Sequence, residues 1–175
     1  WTHGNTVAEL ADGTLVVSFR NISTVAIVER PTGRVAWKLG PPTLAQQHDP
    51  HVLPNGNILV FDNGVLRPDS PIVYSRVLEI EPRSNGVAWT YRDTPLQGFY
   101  SPYISGAQRL PNGNTLICEG CSGRLFEVTT DQRVVWEYIS PYFSETPLLG
   151  VNNWVFRAFR YSREDVRVWS GGGLG

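Results

Sequence analysis

The sequence contains no methionine, a single lysine and only three histidines among its 175 residues. Charged residues make up 18% of the chain and the formal net charge at pH 7 is -1, which favours neither a nucleic-acid surface nor an acidic disordered tail. No apolar run approaches the ~20 residues of a membrane-spanning helix. The chain also lacks a G-x-S-x-G elbow and a glycine-rich loop leading into a helix, which argues against a serine triad and a nucleotide-phosphate site.

Cysteine is almost as scarce, since Cys118 and Cys121 form one C-x-x-C. A structural zinc site needs four ligands and no second such pair exists, so we interpret the two as small, half-buried residues beside a hairpin turn. A redox pair and a disulfide remain alternatives, the latter compatible with an oxidising compartment. Because the chain opens at Trp1 without a methionine or a signal peptide, we expect a processed protein or a fragment.

The part of the sequence that is rich in turns and strands repeats itself three times. Each repeat begins with an Asp-Gly or Asn-Gly turn and a strand: ADGTLVV (11–17), LPNGNILV (53–60) and LPNGNTLI (110–117). Each continues with an alternating strand: STVAIVER (23–30), SRVLEIEP (75–82) and GRLFEVTT (123–130). Each ends with a turn and a tryptophan strand: PTGRVAWKLG (31–40), PRSNGVAWTY (82–91) and TDQRVVWEY (130–138). Turn chemistry and alternation together predict three antiparallel units of three strands each.

A repeat of about 50 residues built from short strands predicts an all-β fold of the β-propeller type. About three blades fit in this chain, with WVFRAFRY (154–161) as one more, closing strand. Propellers have about four to eight blades, so we expect a full ring of about six, completed by a longer chain or by a second subunit. We assign residues 1–168 to a partial β-propeller domain and residues 169–175 to a flexible glycine-rich tail.

Polar clusters precede the turns of two repeats. His3 and Asn5 stand in HGNTV, ahead of the strand that ends near Arg20, and His48, Asp49 and His51 stand in QHDPH. We interpret both clusters as loops at equivalent blade positions, which places them on the same face of the propeller. Imidazole can act there as a base, a nucleophile or a metal ligand. A metal site would combine the three histidines with Asp49 or Asp62, but H-x-x-H in a loop is not diagnostic.

These motifs, taken in order, resemble the bacterial arylsulfotransferase family. The resemblance is carried over nearly the whole chain by WTHGNTV, SFRN, WKLG, QHD-x-x-x-LPNGNILVFDNG, SRVLEIEP, WTY, AQRLPNGNTLI, GRLFEVT, VVWEY and VFRAFRY. It implies a propeller enzyme that moves a sulfuryl group from an aryl sulfate to a phenol without a nucleotide donor. It further implies that a histidine is transiently sulfated.

The resemblance assigns the nucleophile to His48 and the surrounding active-site positions to His3, Asn5 and Arg20. A further active-site histidine that the family carries on an earlier blade has no counterpart here. Arg20 suits the role of clamp on the sulfuryl oxygens, with Asn5 and His3 as donors. His3 can also provide the proton or charge that the leaving phenolate needs.

Further residues are candidates for binding substrate. Asp49 is expected to orient the His48 ring or to cap the following turn, and Arg67 lies just beyond the FDNG motif. Asp62-Asn63-Gly64 is expected to form a turn that frames the mouth of the site. Aromatic walls for the substrate are sought among five residues that can equally be core: Phe19, Phe61, Phe99, Tyr100 and Tyr103. Of these, Phe61 is assigned to substrate binding.

The expected ligands are small aromatic sulfate esters and phenols, with no cofactor, no metal, no nucleic acid and no membrane span. A homo-oligomer, or blades from the rest of a longer chain, is expected to complete the ring. The resemblance implies a periplasmic or secreted protein. Two alternatives stay open at this point, namely a non-catalytic propeller that binds a ligand or partner, and a metal- or quinone-dependent propeller enzyme.

Overall fold

Three four-stranded antiparallel sheets follow one another along the chain, each with its strands in sequential order, and a two-stranded hairpin follows them. The computed structural model describes residues 1–147, 149–163 and 165–166. Its strands are β1 (Gly4–Glu9), β2 (Thr14–Phe19), β3 (Thr24–Glu29), β4 (Val35–Leu39), β5 (His48–Val52), β6 (Ile58–Asp62), β7 (Arg76–Glu81), β8 (Gly86–Tyr91), β9 (Gly106–Arg109), β10 (Thr115–Glu119), β11 (Arg124–Val128), β12 (Val134–Ile139), β13 (Ser144–Thr146) and β14 (Gly150–Asn152). Two 3-10 turns, Leu96–Gly98 and Gly120–Ser122, interrupt the connections.

The predicted all-β propeller architecture is confirmed, but each blade has four strands rather than three. The strand that sequence patterning missed is the first of each sheet, β1, β5 or β9. These first strands lie beside one another, since β5 contacts both β1 and β9. The expectation that QHDPH is a loop is therefore wrong, because His48–Val52 pairs with β6 through a register shift between His48 and His51. This strand is polar and is interrupted by Pro50 and a bulge, so it lacks the alternation of apolar and polar residues that predicts a strand.

The hairpin turns formed where the repeats predicted them. Gly13, Gly56 and Gly113 adopt φ of 79°, 84° and 86°, the left-handed region that a residue without Cβ reaches at no steric cost. In each turn the preceding Asp or Asn side chain accepts a hydrogen bond from a backbone N–H two residues on. The repeats of the sequence are thus repeats of one turn geometry.

The expected closing strand at residues 154–161 is wrong. The segment runs past the third sheet without a strand ladder, because its backbone bonds go to turns and side chains. Val155 donates to the Gly120 carbonyl, and Phe156 accepts from Ser105. Further along, Arg160 exchanges two bonds with the side chain of Gln108. The predicted tail at 169–175 and the domain boundary at residue 168 lie outside the described residues.

Apolar side chains between successive sheets form the core. One cluster joins the first two sheets and includes Val16, Val60 and Leu78, all essentially buried. A second, aromatic cluster joins the second and third sheets, where Phe99 contacts the rings of Phe61, Tyr91 and Phe126.

The three tryptophans that mark the repeats lie on the outer strands β4, β8 and β12. The indole of Trp37 donates to Asn85 Oδ1 at 2.8 Å, and that of Trp89 donates to the Thr130 carbonyl at 2.9 Å. Each of these two bonds reaches the outer hairpin of the next blade. The recurring tryptophan therefore joins one blade to its neighbour. No helix in the described part of the chain is long and apolar enough to cross a membrane.

Replacing Phe99 by Ala is expected to destabilise the protein by about 3–5 kcal/mol, because it empties a fully buried site among three other rings. The measurement is urea unfolding followed by tryptophan fluorescence. Phe143→Ala is the matched control, since Phe143 is 64% exposed, and we expect a change within about 0.5 kcal/mol. Equal losses in the two variants would contradict the assignment of the core.

Candidate functional site

A cavity of about 730 Å³ opens at the hub between the first two sheets. The four residues expected to converge, His3, Asn5, Arg20 and His48, all line it. The remaining lining residues are mostly apolar: Gly4, Thr6, Val7, Val17, Phe19, Tyr103, Ile104 and Phe156. None of these described lining residues is acidic. A cavity of this size, with apolar walls and a few convergent polar groups, is typical of a small-molecule site.

His48 is buried at the start of β5, and its ring makes a hydrogen bond to a residue that does not line the cavity. Nδ1 lies 2.7 Å from Oδ1 of Asn63, the residue that follows β6. The Asn63 amide nitrogen donates in turn to the carbonyls of Ser101 and Ile104, at 2.7 and 3.1 Å. The sequence prediction that Asp62-Asn63-Gly64 frames the mouth missed this contact. Asn63 instead lies beneath the histidine.

The surroundings of His48 favour its neutral form. Burial lowers the pKa of this imidazole to about 4, and the nearby positive charge of Arg20 adds to the effect. The Asn63 hydrogen bond and the Gln46 backbone oppose it with a smaller raising effect. At pH 7 the ring is therefore uncharged, and a neutral imidazole has a lone pair available for nucleophilic attack.

Gln47, which the sequence reasoning did not single out, positions the polar groups around the pocket. It is fully buried, and its amide nitrogen donates to Ser18 Oγ at 2.8 Å. Its backbone carbonyl accepts from Asn5 Nδ2 at 2.8 Å. One N–H of Asn5 is thus committed to the scaffold, its second N–H stays available, and its Oδ1 is buried without a partner in the structure.

Arg20 supplies the positive charge of the pocket. Its guanidinium lies 5.1 Å from the centre of the Tyr103 ring, and Nη2 donates to the Pro102 carbonyl at 3.5 Å. The buried Nε of Arg20 has no hydrogen-bond partner. Since no carboxylate lines the cavity, an anionic ligand would meet an unneutralised cation.

Asp49 does not orient His48, so that expectation is wrong. Its Oδ1 forms an ion pair with Nη1 of Arg157 at 3.2 Å, on the other side of the strand. Burial raises the pKa of Asp49 to about 7, although Arg157 and the Ala107 backbone act in the opposite direction. The carboxylate packs so closely on Gly106 that an added Cβ there would lie 2.2 Å from Oδ2. Asp49 therefore joins β5, β9 and the segment after β14.

Two other residues predicted to bind substrate lie away from the pocket. Arg67 is buried, donates to Asp62 Oδ2 at 3.0 Å and stacks 4.1 Å from the centre of the Tyr74 ring. Phe61 is fully buried in the aromatic core with Phe99. Phe61 lies within FDNG and Arg67 just after it, and the sequence alone does not show whether side chains at these positions face the cavity or pack on the other side of the sheet.

Among the candidate aromatic walls, Phe19 and Tyr103 line the cavity, as does Phe156, which the sequence reasoning did not propose. Tyr100 is half-buried and is not among the lining residues. Phe156 belongs to the segment expected to be a strand, so only its actual path reveals that it faces the pocket.

The backbone around the cavity adopts unusual conformations. Five non-glycine residues there have φ between 49° and 85°: His3, Gln46, Asp49, Ile104 and Ser105. This region is costly for side chains with Cβ and tends to occur where surrounding contacts enforce it, especially at functional sites. His3 and Ile104 line the cavity, and the other three lie within two residues of a lining residue.

His51 and the cysteines lie outside this constellation. His51 lines a different cavity of about 880 Å³, shared with Arg109 and Arg160. Cys118 and Cys121 are both free thiols, so no disulfide joins them. No group of three or more His, Cys, Asp or Glu residues within the described ranges is arranged to hold a metal ion.

The comparison with protein families covers most of the chain. The family model for arylsulfotransferases (ASST) matches residues 1–141, which include every hub residue named above except Phe156 and Arg157. The chain belongs to the arylsulfotransferase family. No curated protein matches this arylsulfotransferase-family chain.

Solved structures similar to this family member include two propeller-type proteins, virginiamycin B lyase and hydrazine synthase. A Bacteroides caccae protein of unknown function aligns with a TM-score of 0.62 and 18% identity over 93% of this chain and 50% of its own. Virginiamycin B lyase from Staphylococcus aureus aligns with a TM-score of 0.55 and 15% identity, over 81% of this chain and 42% of its own. Hydrazine synthase from Kuenenia stuttgartiensis aligns with a TM-score of 0.56 and 16% identity, over 83% of this chain and 40% of its own. At these identities the likeness concerns the fold. The chain spans half the length of these structures or less.

Replacing Asp49 by Asn is expected to change how stability depends on pH. The folded carboxyl has a pKa of about 7 against an ordinary 3.8, so its contribution is complete below about pH 4 and is lost as pH rises through about 7. The wild-type free energy of unfolding, relative to that of the Asn variant, should fall by on the order of 2–4 kcal/mol across this window.

Urea unfolding of both proteins at several pH values measures this difference. Taking the difference removes the contribution of His48, whose lowered pKa gives the opposite slope between about pH 4 and 6.5. Asp12→Asn is the control, because Asp12 is exposed and its hydrogen bonds to Thr14 lower its pKa. A difference that does not fall with pH would refute the buried state assigned to Asp49.

Proposed function

We propose that the hub cavity transfers a sulfuryl group from an aryl sulfate to a phenolic acceptor through a sulfated His48, without a nucleotide donor. The observation that carries this proposal is a neutral, rigidly held imidazole beside an arginine in a cavity without carboxylates. An anionic sulfate ester is attracted by the arginine, and the imidazole lone pair is free to attack it. Family membership supports arylsulfotransferase-type chemistry in general.

The first half-reaction forms a bond between a His48 ring nitrogen and sulfur and breaks the bond between sulfur and the aryl oxygen. The leaving phenolate takes the bonding electron pair, and His3, which lines the same cavity, is positioned to supply its proton. Arg20 and the free N–H of Asn5 stabilise the charge on the sulfuryl oxygens. The transferring group resembles a phosphoryl group in spreading its charge over three oxygens.

The second half-reaction reverses these roles. The acceptor phenol gives its proton to His3, its oxygen attacks sulfur, and the nitrogen–sulfur bond returns its electrons to His48. The order of events is ping-pong, with the first product leaving before the acceptor binds.

The walls of the cavity suit an aromatic substrate. Phe19, Tyr103 and Phe156 offer ring faces and edges around the polar centre. We therefore propose small aryl sulfates and phenols as the two substrates. The periplasmic or secreted location and the completion of the ring by further blades stay predictions.

His48→Asn is expected to abolish sulfation of the protein and to lower transfer from 4-nitrophenyl sulfate by at least about 10³-fold, because no other nucleophile replaces it. The measurement combines intact-protein and peptide mass spectrometry of rapidly quenched samples with phenol-release kinetics on the natural full-length protein. His51→Asn is the matched control from the same strand, since His51 lines the other cavity. Transfer that survives in His48→Asn would refute the mechanism, and binding of aryl sulfate without transfer in wild type would favour a binding propeller.

With an activated aryl sulfate, whose phenolate leaves without needing a proton from His3, the rate of His48 sulfation should stay constant from about pH 8 down to about pH 5. The nucleophile must be neutral, and burial lowers the pKa of His48 to about 4, so the acid limb should lie there rather than near the ordinary 6.5. Single-turnover quench-flow with an activated aryl sulfate measures this limb. Circular dichroism at each pH checks that the fall in rate is not caused by unfolding. A sulfation rate that is half-maximal near pH 6.5 would contradict the buried environment assigned to His48.

A further inference from the structure

Asn63 is the buried residue with the most direct hold on His48. Its side chain is completely buried, and its amide contacts three groups: His48 Nδ1 at 2.7 Å, the Ser101 carbonyl at 2.7 Å and the Ile104 carbonyl at 3.1 Å. It does not line the cavity, so it cannot touch substrate. Any role in the reaction must act through the histidine ring.

The two carbonyls decide which way the amide is turned. A carbonyl oxygen only accepts hydrogen bonds, so the NH₂ group of Asn63 must face Ser101 and Ile104. The amide oxygen must then face His48. Because that oxygen also only accepts, Nδ1 of His48 must carry a hydrogen and donate it. In a neutral imidazole the other nitrogen, Nε2, is left with the lone pair.

The orientation of the amide is itself secured by a second layer of hydrogen bonds. Ser75 Oγ donates to the backbone carbonyl of Asn63 at 3.0 Å and accepts from the backbone N–H of Ser101 at 2.9 Å. Ser105 Oγ donates to Ser101 Oγ at 2.9 Å. Every member of this group is buried. The acceptors of the Asn63 amide are therefore fixed, which prevents the amide from flipping.

We propose that Asn63 is a positioning residue that locks His48 in the Nδ1–H tautomer, directs sulfation to Nε2 and keeps the Nδ1 proton on the ring in the sulfated intermediate. The part concerning sulfation rests on the proposed function, whereas the tautomer of the resting protein does not. Asn63 is the asparagine of FDNG, which the sequence prediction places in a turn at the site mouth.

The choice of a neutral amide has a chemical consequence for the intermediate. When Nε2 attacks sulfur and the phenolate departs with its electrons, the ring becomes an N-sulfoimidazolium, with one hydrogen on Nδ1 and one positive charge. An amide oxygen is too weak a base to remove that hydrogen, whereas a carboxylate could share or accept it. The ring therefore remains a cationic leaving group. When the acceptor attacks, the nitrogen–sulfur bond breaks and the neutral Nδ1–H tautomer returns without any proton transfer at the ring.

The first test measures the tautomer directly in the natural full-length protein. Nitrogen-15 NMR with labelled histidine distinguishes a protonated from an unprotonated ring nitrogen, and the His48 signals are assigned by their loss in His48→Asn. We expect wild-type His48 to be protonated at Nδ1 and unprotonated at Nε2 at neutral pH. Protonation at Nε2 would overturn the proposal, whether or not the protein transfers sulfuryl groups.

Variants then show whether Asn63 is the cause. Asn63→Leu removes the acceptor, so His48 should lose its fixed tautomer. Thr115→Val is the matched control, because it removes a buried hydroxyl on β10 that makes no hydrogen bond with His48, Asn63 or Ser101, and it should leave the tautomer unchanged. A fixed Nδ1–H tautomer in a folded Asn63→Leu protein would overturn the assignment to Asn63.

The same variants separate this inference from the proposed function. If sulfation occurs, Asn63→Leu should lower its rate on the order of 10- to 100-fold, as loss of an orienting partner typically does, with little change in KM for the aryl sulfate. Peptide analysis should find the wild-type sulfuryl group on Nε2. Absence of sulfation in a wild-type protein with the Nδ1–H tautomer refutes the proposed function alone, and sulfation at Nδ1 refutes the positioning role alone.

Discussion

Polar groups buried at the hub must find hydrogen-bond partners, and this constraint shapes the site more than any other. The first strands of the sheets carry histidine, aspartate, glutamine and asparagine where a core would otherwise be apolar, and each unmet buried group costs about 1–3 kcal/mol. Gln47 and Asn63 meet part of this demand through their amide nitrogens, which donate to neighbouring segments, although Oε1 of Gln47 has no partner. The groups left without partners include Asn5 Oδ1 and Arg20 Nε. Both belong to residues that line the cavity where His48 is also found.

Charge explains why the buried carboxylates form ion pairs away from His48 whereas a buried amide contacts it. Asp62 forms ion pairs with Arg67 and Arg76, and Asp49 forms one with Arg157. Both carboxylates therefore join strands to neighbouring segments and do not face the ligand cavity. An acid beside His48 would stabilise its protonated form and would repel a sulfate ester. The neutral amide of Asn63 holds the ring without either effect. Arg20 is consequently left as the uncompensated cation of the pocket.

The repeats, turns and outer strands could be predicted from the sequence because their signals are local. Asn-Gly and Asp-Gly turns at Gly13, Gly56 and Gly113 need a backbone geometry that few other residues adopt. Strands such as β7 and β11 interleave apolar and polar residues, a pattern that indicates a strand from the sequence alone. The family resemblance added the hub residues His3, Asn5, Arg20 and His48, and all four line the pocket. The first strand of each sheet could not be predicted in this way, because these strands are short and polar and, as in β5, interrupted by a bulge.

The sequence by itself determined the all-β repeat, the hairpin positions and the residues that meet at the hub, since each depends on neighbours along the chain or on an ordered set of motifs. Only the tertiary structure decided which way those residues face. Asp49 and His48 are adjacent in sequence, yet one pairs with Arg157 and the other with Asn63. The bulge between His48 and His51, where Asp49 has a φ of 54°, redirects the chain locally in a way that the sequence pattern does not show. Phe156 reaches the cavity and Phe61 the core for a similar reason, namely the path of segments that are distant in sequence but packed together at the hub.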